Sequence, residues 1–276
     1  MTSNDADNAE PLTPVPFPVT LHTLHWGPPP TTDAHGPDAR PIALLLHGLP
    51  SAAGTWWQVA SGLAAAGWSV TAPDLRGHGA SPRTTRYALD DYAADVAALV
   101  PAAGRRWDVV VGHSLGGAVA TVAAGAHPDW TSALLLLDPV FAVPEGAVPG
   151  LLAELLADLE ALDPAALLRE HPRWHSEDAV QKVAAARVAS PYLIERTVLD
   201  NERWQLEPVA AALRPRVHVL AADPQLGASF TVEEGERLAR ANPRFRYSVV
   251  AGSGHSVQRD DPRRVVEEAQ ALAAAC

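Results

Sequence analysis

The sequence contains almost no cysteine and almost no lysine. Among its 276 residues, Cys276 is the one cysteine and Lys182 the one lysine. A single cysteine can form neither a disulfide within the chain nor a cysteine-based metal cluster, so we expect no structural metal. A Schiff-base mechanism would depend on Lys182 alone, in a segment typical of a surface helix.

Positive charge is also scarce, with 21 Lys and Arg against 32 Asp and Glu and a net charge of −11. No basic cluster offers a surface for nucleic acid or an anionic membrane. No apolar run approaches the ~20 residues of a membrane span. Residues 1–18 carry Asp5, Asp7 and Glu10 and lack the apolar run of a signal peptide. We therefore expect a cytoplasmic protein without nucleic-acid or membrane partners, and its oligomeric state stays open.

Apolar residues are plentiful, at 47% of the chain, so a large core can form. Short apolar runs at 42–46, 69–72, 108–111 and 133–137 alternate with helical segments. This alternation predicts βαβ units, and hence an α/β fold with a mostly parallel, doubly wound sheet. Residues 1–18, which include four prolines, are predicted to form a flexible tail.

The alternation stops between residues 141 and 208. Leucines recur at helical spacing in the first half of this segment. Asp163 and Ser190 each precede a proline, a pattern typical of helix starts. We therefore predict three or four helices inserted into an α/β core that comprises residues 19–140 and 209–276.

The pattern Gly-x-Ser-x-Gly occurs at residues 112–116, between an apolar strand and a helix of small residues. A serine on such a tight strand-to-helix turn is exposed above the sheet, and larger side chains at Gly112 and Gly116 would collide with neighbouring strands. The helix N-terminus also favours negative charge developing there. We predict that Ser114 is a nucleophile, the alternative being an ordinary tight turn.

A serine nucleophile needs a base. His255 is the best candidate because it follows the last predicted strand in a glycine-rich loop, at the same sheet edge as Ser114. The alternative is a solvated loop histidine. His47 and His113 are expected to pack or hydrogen-bond locally.

Acyl transfer also needs hydrogen-bond donors for the oxyanion. The backbone N–H of Leu115 follows the nucleophile directly. The second candidate is the N–H of Leu49, in a loop where Gly48 permits close backbone approach. Pro50 has no N–H to donate.

These motifs, in this order, resemble the α/β-hydrolase fold superfamily in its branch with a single cap. The resemblance rests on four segments that cover nearly the whole chain beyond residue 18: His47-Gly48, residues 74–81, residues 112–117 and Gly254-His255.

The resemblance implies that segment 141–208 is a helical cap (lid), inserted after the sixth strand of the superfamily. It also implies the chain order serine, acid, histidine. Dehalogenases and epoxide hydrolases of this superfamily have an aspartate where this chain has Ser114, which argues against both activities.

The position of the acid departs from the usual pattern of the superfamily. The usual position, after the seventh strand, falls on Gln225, and Asp223 lies two residues earlier. Some relatives instead carry the acid at the end of the sixth strand, 24 residues after the nucleophile, and 114 + 24 is Asp138. We favour Asp138 and keep Asp223 as the alternative. Either carboxylate would hold His255 in the required tautomer.

Four aromatic residues beside the predicted oxyanion loop or in the cap are candidates for substrate binding: Trp56, Phe141, Trp174 and Tyr192. With the leucine-rich helix they favour an apolar acyl or alcohol group. The lack of an obvious Arg or Lys clamp argues against a highly charged substrate, although Arg169, Arg173 and Arg196 keep that alternative open.

The sequence thus predicts a serine hydrolase that cleaves a neutral, fairly hydrophobic carboxylic ester or lactone without a cofactor or metal. Similarity to lactonases of the type that opens zearalenone makes a lactone a specific possibility. Carbon–carbon bond hydrolases and amidases share the scaffold. The alternative from another class is a hydrolase-like receptor that binds a small molecule without turnover.

Overall fold

The continuous apolar runs form strands because both faces of the sheet are covered. Every residue of Ile42–Leu46, Val109–His113 and Ala133–Leu137 is buried, as expected for central strands of a parallel sheet. The structure is a computed structural model that describes residues 16–30, 39–101, 105–160, 163–201 and 204–275. Cys276 and most of the predicted tail lie outside these ranges.

Seven strands form one sheet in the order β1-β3-β2-β4-β5-β6-β7. Strand β1 is antiparallel to β3, and the other neighbours are parallel, which confirms the predicted sheet. The strands are β1 (Thr23–Trp26), β2 (Ile42–Leu46), β3 (Ser69–Pro73), β4 (Val109–His113), β5 (Ala133–Leu137), β6 (Arg216–Ala221) and β7 (Phe245–Val249).

The helices alternate with the strands outside residues 141–208. They are α1 (Trp57–Ala65), α2 (Leu89–Ala97), α3 (Leu115–Ala126), α4 (Val148–Ala157), α5 (Pro164–Glu170), α6 (Ser176–Val188), α7 (Pro191–Leu199), α8 (Glu207–Ala211), α9 (Val232–Ala241), α10 (Val257–Asp260) and α11 (Pro262–Ala274). None of these described helices has both the length and the apolar character needed to cross a membrane.

Alternate side chains of each strand enter two separate cores. Leu44 and Leu46 of β2 pack with apolar residues of α2 and α3, whereas Ala43 and Leu45 pack with those of α1 and α11. This division follows from the two-residue period of a strand. It places helices on both faces and leaves the carboxyl ends of the parallel strands open for a site.

Helices α4 to α7 occupy the segment predicted to form a cap. The segment follows β5, the fifth of the seven strands described. The strand that the superfamily numbers as the sixth is therefore the fifth in this structure. Asp178 of α6 joins the cap to the core because it accepts hydrogen bonds from Trp57 Nε1 at 2.9 Å and Gln58 Nε2 at 2.8 Å. The exact domain limits stay a prediction.

A buried ion pair fixes the loop that follows β3. Arg76 donates to Asp95 of α2 at 2.6 and 2.8 Å, and both side chains are almost fully buried. Asp91 lies 3.7 Å from the same guanidinium. Such a pair matters most when one partner is removed, because the other then remains as a buried charge.

We expect Asp95→Ala to lower the free energy of unfolding by about 3 kcal/mol, the low end for a broken buried pair because Asp91 remains. Urea denaturation measures this change. The matched control is Asp90→Ala on the same helix, an exposed position, which should stay within about 0.5 kcal/mol of the wild type. Equal losses in both variants would contradict the role of the pair.

Candidate active site

Ser114 lies on a strained turn between β4 and α3. Its backbone has φ 51° and ψ −117°, a conformation that is rare for residues other than glycine. A Cβ on Gly116 would lie 2.2 Å from the carbonyl oxygen of Leu46, and one on Gly112 would lie 2.6 Å from that of Gly116. The two glycines are therefore required sterically, as the sequence pattern predicts.

His255 and Asp138 come together from different loops at the same sheet edge. His255 Nδ1 lies 2.6 Å from Asp138 Oδ2. The Asp138 side chain is fully buried and also accepts hydrogen bonds from the backbone N–H groups of Ala222, Ser229 and Phe230, at 3.2, 2.8 and 3.1 Å. A hydrogen bond from Nδ1–H to this carboxylate leaves Nε2 unprotonated and able to accept a proton.

Asp223, the alternative acid, has different partners. Its carboxylate accepts hydrogen bonds from the N–H groups of Gly252 and Gln225, at 2.8 and 3.0 Å. These two bonds lower the pKa of Asp223. Asp138, rather than Asp223, is the carboxylate that contacts His255.

A cavity of about 650 Å³ lies between the cap and the carboxyl edge of the sheet, and both Ser114 and His255 line it. Among the described residues, no hydrogen bond links the Ser114 hydroxyl to His255. Such bonds are often long in unliganded enzymes and shorten when substrate binds. The shared cavity still allows one substrate carbonyl to meet both side chains.

Two further histidines form hydrogen bonds that order the loops of the site. The expectation of a local contact holds for His47, whereas His113 lines the cavity and bonds to the loop of His255. His47 Nδ1–H donates to Gly48 O at 2.8 Å, and its Nε2 accepts from Leu75 N at 3.0 Å. His113 Nε2–H donates to His255 O at 2.9 Å. Burial lowers the pKa of both side chains, that of His113 well below its usual value. His113 therefore stays neutral at pH 7 and holds the backbone of the His255 loop.

The residues that carry the two candidate oxyanion donors also line the cavity. Leu49 and Leu115 line it together with Ser114. Within the described ranges, neither backbone N–H has a protein acceptor. A Cβ on Gly48 would approach His113 Nδ1 to 2.9 Å, so glycine is needed for the loop of Leu49 to lie this close to the serine turn.

Of the four aromatic residues predicted to bind substrate, Trp174 lines the cavity. The prediction is wrong for the other three. Trp56 is buried in the core beside α1, and Phe141 is buried against Phe230. Tyr192 is half exposed and donates its hydroxyl to Thr85 O. The sequence could not show whether each aromatic side chain packs in the core or lines the cavity.

Two basic residues of the cavity, Lys182 and Arg259, were not predicted from the sequence as part of the site. Lys182 lies in the partly exposed cap helix α6, where it is half-buried and its Nζ is 2.9 Å from Asp158 Oδ2. Arg259 belongs to α10 and is 4% exposed. Because these two cations line the cavity, the lack of an Arg or Lys clamp that favoured a neutral substrate is not borne out.

Ser229 also contacts His255, with its Oγ 3.2 Å from His255 Nδ1. This contact was not predicted from the sequence.

In the part of the chain that the structure describes, no group of three or more His, Cys, Asp or Glu side chains is arranged to hold a metal ion.

A serine carried on a sharp turn above a parallel sheet, beside a histidine and a carboxylate from later loops, is the arrangement of a class of hydrolases. Comparison with known families leads to the same class. The Alpha/beta hydrolase family matches residues 43–268, and the chain belongs to this family.

Individual relatives in the family have several activities. Lipase LipV of Mycobacterium tuberculosis is 39% identical over 147 residues, which cover 53% of this chain and 52% of the lipase. Epoxide hydrolase A of the same organism is 36% identical over 117 residues, or 41% of this chain and 36% of the relative. The matches thus span about half, or less, of the length of these relatives.

A solved structure, that of E-2-(acetamidomethylene)succinate hydrolase, superposes with a TM-score of 0.74 over 92% of this chain and 95% of that chain. The two sequences are 21% identical, so this likeness concerns the fold.

The steric role of Gly116 can be tested against a second helical glycine. We expect Gly116→Ala to destabilise the fold by about 1–3 kcal/mol, because the new methyl group would overlap the carbonyl of Leu46. Gly150→Ala in α4 meets no atom within 4 Å and should be neutral or stabilising by up to about 1 kcal/mol. Chemical denaturation compares the two, and a stable Gly116→Ala would contradict the steric requirement.

Proposed function

We propose that this chain is a serine hydrolase that cleaves a carboxylic ester or lactone of a small molecule through an acyl-enzyme. One observation carries the proposal: the contact of His255 with the buried Asp138, in a loop facing the cavity that Ser114 also lines. A buried carboxylate directed at the Nδ1 of a histidine prepares the opposite nitrogen to act as a base.

In the proposed reaction, Ser114 Oγ attacks the carbonyl carbon while His255 Nε2 takes its proton. The N–H groups of Leu49 and Leu115 bind the oxyanion as it forms. His255 then donates the proton to the leaving alkoxide, and the carbonyl bond reforms. A water molecule, deprotonated by the same histidine, hydrolyses the acyl-enzyme and restores Ser114. Each step uses a side chain or backbone group that lines the cavity or touches His255.

Two observations favour an ester or lactone over an epoxide. By the resemblance described above, epoxide hydrolases carry an aspartate at the position of Ser114. Their nucleophile is a carboxylate, which a serine hydroxyl does not provide. The relative with 39% identity is a lipase. Apolar side chains that suit a carbon skeleton line much of the cavity: Leu49, Leu115, Val140, Val143, Leu151, Leu155, Leu167 and Val198.

The nucleophile can be tested by labelling and by turnover. We expect a fluorophosphonate probe to label the wild type, and Ser114→Ala to lose both labelling and steady turnover of an aryl ester. The loss of turnover should be on the order of 10⁴-fold or more. Ser248→Ala removes a hydroxyl that contacts His218 in β6 and should retain both properties.

Failure of the wild type to react with the probe would exclude a serine hydrolase. A single-turnover adduct without further turnover would favour the receptor alternative.

The acid has its own test. We expect Asp138→Asn to reduce kcat by on the order of 10⁴-fold, because the amide would hold the wrong tautomer of His255. Asp223→Asn should change kcat little, since its carboxylate contacts the backbone N–H groups of Gly252 and Gln225 and not that histidine. Thermal unfolding of both variants separates catalysis from stability. A crippled Asp223→Asn beside an active Asp138→Asn would reverse the assignment.

A further inference from the structure

Arg259 combines nearly complete burial with very few partners. It is 4% exposed, yet the hydrogen bond that the structure gives its guanidinium is from Nη1 to Ser256 Oγ, at 3.1 Å. Its Nε is buried without an acceptor among the described residues. A guanidinium has five N–H donors. A buried cation with so few acceptors is costly to the fold unless something else neutralises it.

The two carboxylates whose charges act on Arg259, those of Asp178 and Asp260, accept hydrogen bonds from other donors. Asp178 receives Trp57 Nε1 and Gln58 Nε2, as described above. Asp260 accepts from Trp174 Nε1 at 3.0 Å and from Gly254 N at 2.8 Å. Neither forms a salt bridge with Arg259 within the described part of the chain. These charges act on Arg259 at a distance and do not complete its hydrogen bonding.

The guanidinium is nevertheless charged and held in place. Burial lowers the pKa of Arg259 to about 10, which leaves the side chain protonated at pH 7. The guanidinium carbon lies 4.7 Å from the centre of the Trp174 ring, a stacking contact that fixes its orientation. Arg259 and Trp174 both line the cavity that contains Ser114 and His255.

We propose that Arg259 binds a carboxylate of the substrate, so that the ester or lactone cleaved at Ser114 carries one negative charge on its acyl or alcohol part. This inference rests on the hydrolase function proposed above and narrows its substrate class. Arginine suits this task because its planar donors match a carboxylate.

The other charges of the cavity favour a single negative charge on the ligand. Lys182 is already paired with Asp158, which leaves Arg259 as the cation without a carboxylate partner among the described residues of the cavity. Glu154, Glu170 and Asp260 also line the cavity, the two glutamates at exposed positions. These carboxylates repel a dianionic phosphate about twice as strongly as a carboxylate, whose single charge Arg259 balances.

The test compares ester pairs of equal carbon number. Mono(p-nitrophenyl) adipate, pimelate and suberate carry a terminal carboxylate, whereas p-nitrophenyl hexanoate, heptanoate and octanoate do not. We expect the wild type to have a higher kcat/KM for the anionic ester of at least one pair. In Arg259→Met the anionic-to-neutral ratio of kcat/KM should fall by about 10- to 100-fold, mainly through KM.

Two further variants separate this effect from general charge and folding. Arg263→Met removes the same charge from an 86% exposed side chain nearby and should leave the ratio unchanged. Arg259→Lys keeps the charge without the planar guanidinium and should give an intermediate ratio. Thermal midpoints should not fall in Arg259→Met, since the variant removes an under-partnered buried charge.

A binding measurement distinguishes failure of this inference from failure of the hydrolase proposal. Isothermal titration of Ser114→Ala with monomethyl adipate and with dimethyl adipate should show tighter binding of the monoanion, lost when Arg259→Met is added. That result with an inactive wild type would keep the carboxylate site and reject the hydrolase. Hydrolysis of both ester series with ratios that Arg259→Met does not change would keep the hydrolase and overturn the carboxylate site.

Discussion

The buried carboxylate of Asp138 is the group on which the arrangement of the site depends. It stands at the end of β5 and receives three backbone N–H groups from the chain after β6, together with His255 from the loop after β7. Its removal would leave these buried donors without an acceptor, each at a cost of about 1–3 kcal/mol. The Asp138 carboxylate therefore orders the two loops and also orients His255. The same group serves local folding and the proposed catalysis.

The sequence was informative where the constraint is steric and local. Gly112 and Gly116 are required because backbone atoms lie where their side chains would be: those of helix α3 for Gly112, and those of strand β2 for Gly116. Glycines in such a pattern can be recognised without knowing the rest of the fold. The spacing of 24 residues between Ser114 and Asp138 indicated the acid because some relatives in the superfamily carry it at that spacing. In the structure, helix α3 and strand β5 connect the two residues.

Side chains of the cap could not be placed in this way. Whether an aromatic residue faces a cavity or a core depends on how a helix docks, and apolar side chains suit both environments. Phe141 and Trp174 look alike in sequence, yet one packs on Phe230 and the other lines the cavity. Lys182 and Arg259 were missed because charged residues are rarely buried, so a basic residue in a polar helix indicates a surface position. Their position at the cavity follows from the way α6 and α10 pack in the folded chain, which the sequence does not show.

Asp260 connects this charged part of the cavity with the catalytic loop. One carboxylate oxygen accepts the indole N–H of Trp174 in the cap, and the other accepts the backbone N–H of Gly254, next to His255. Trp174 in turn stacks on Arg259. Movement of the cap away from the core would break the bond to Trp174 and remove the surface against which the guanidinium rests. The position of the cap, the orientation of Arg259 and the conformation of the His255 loop are therefore linked through one carboxylate.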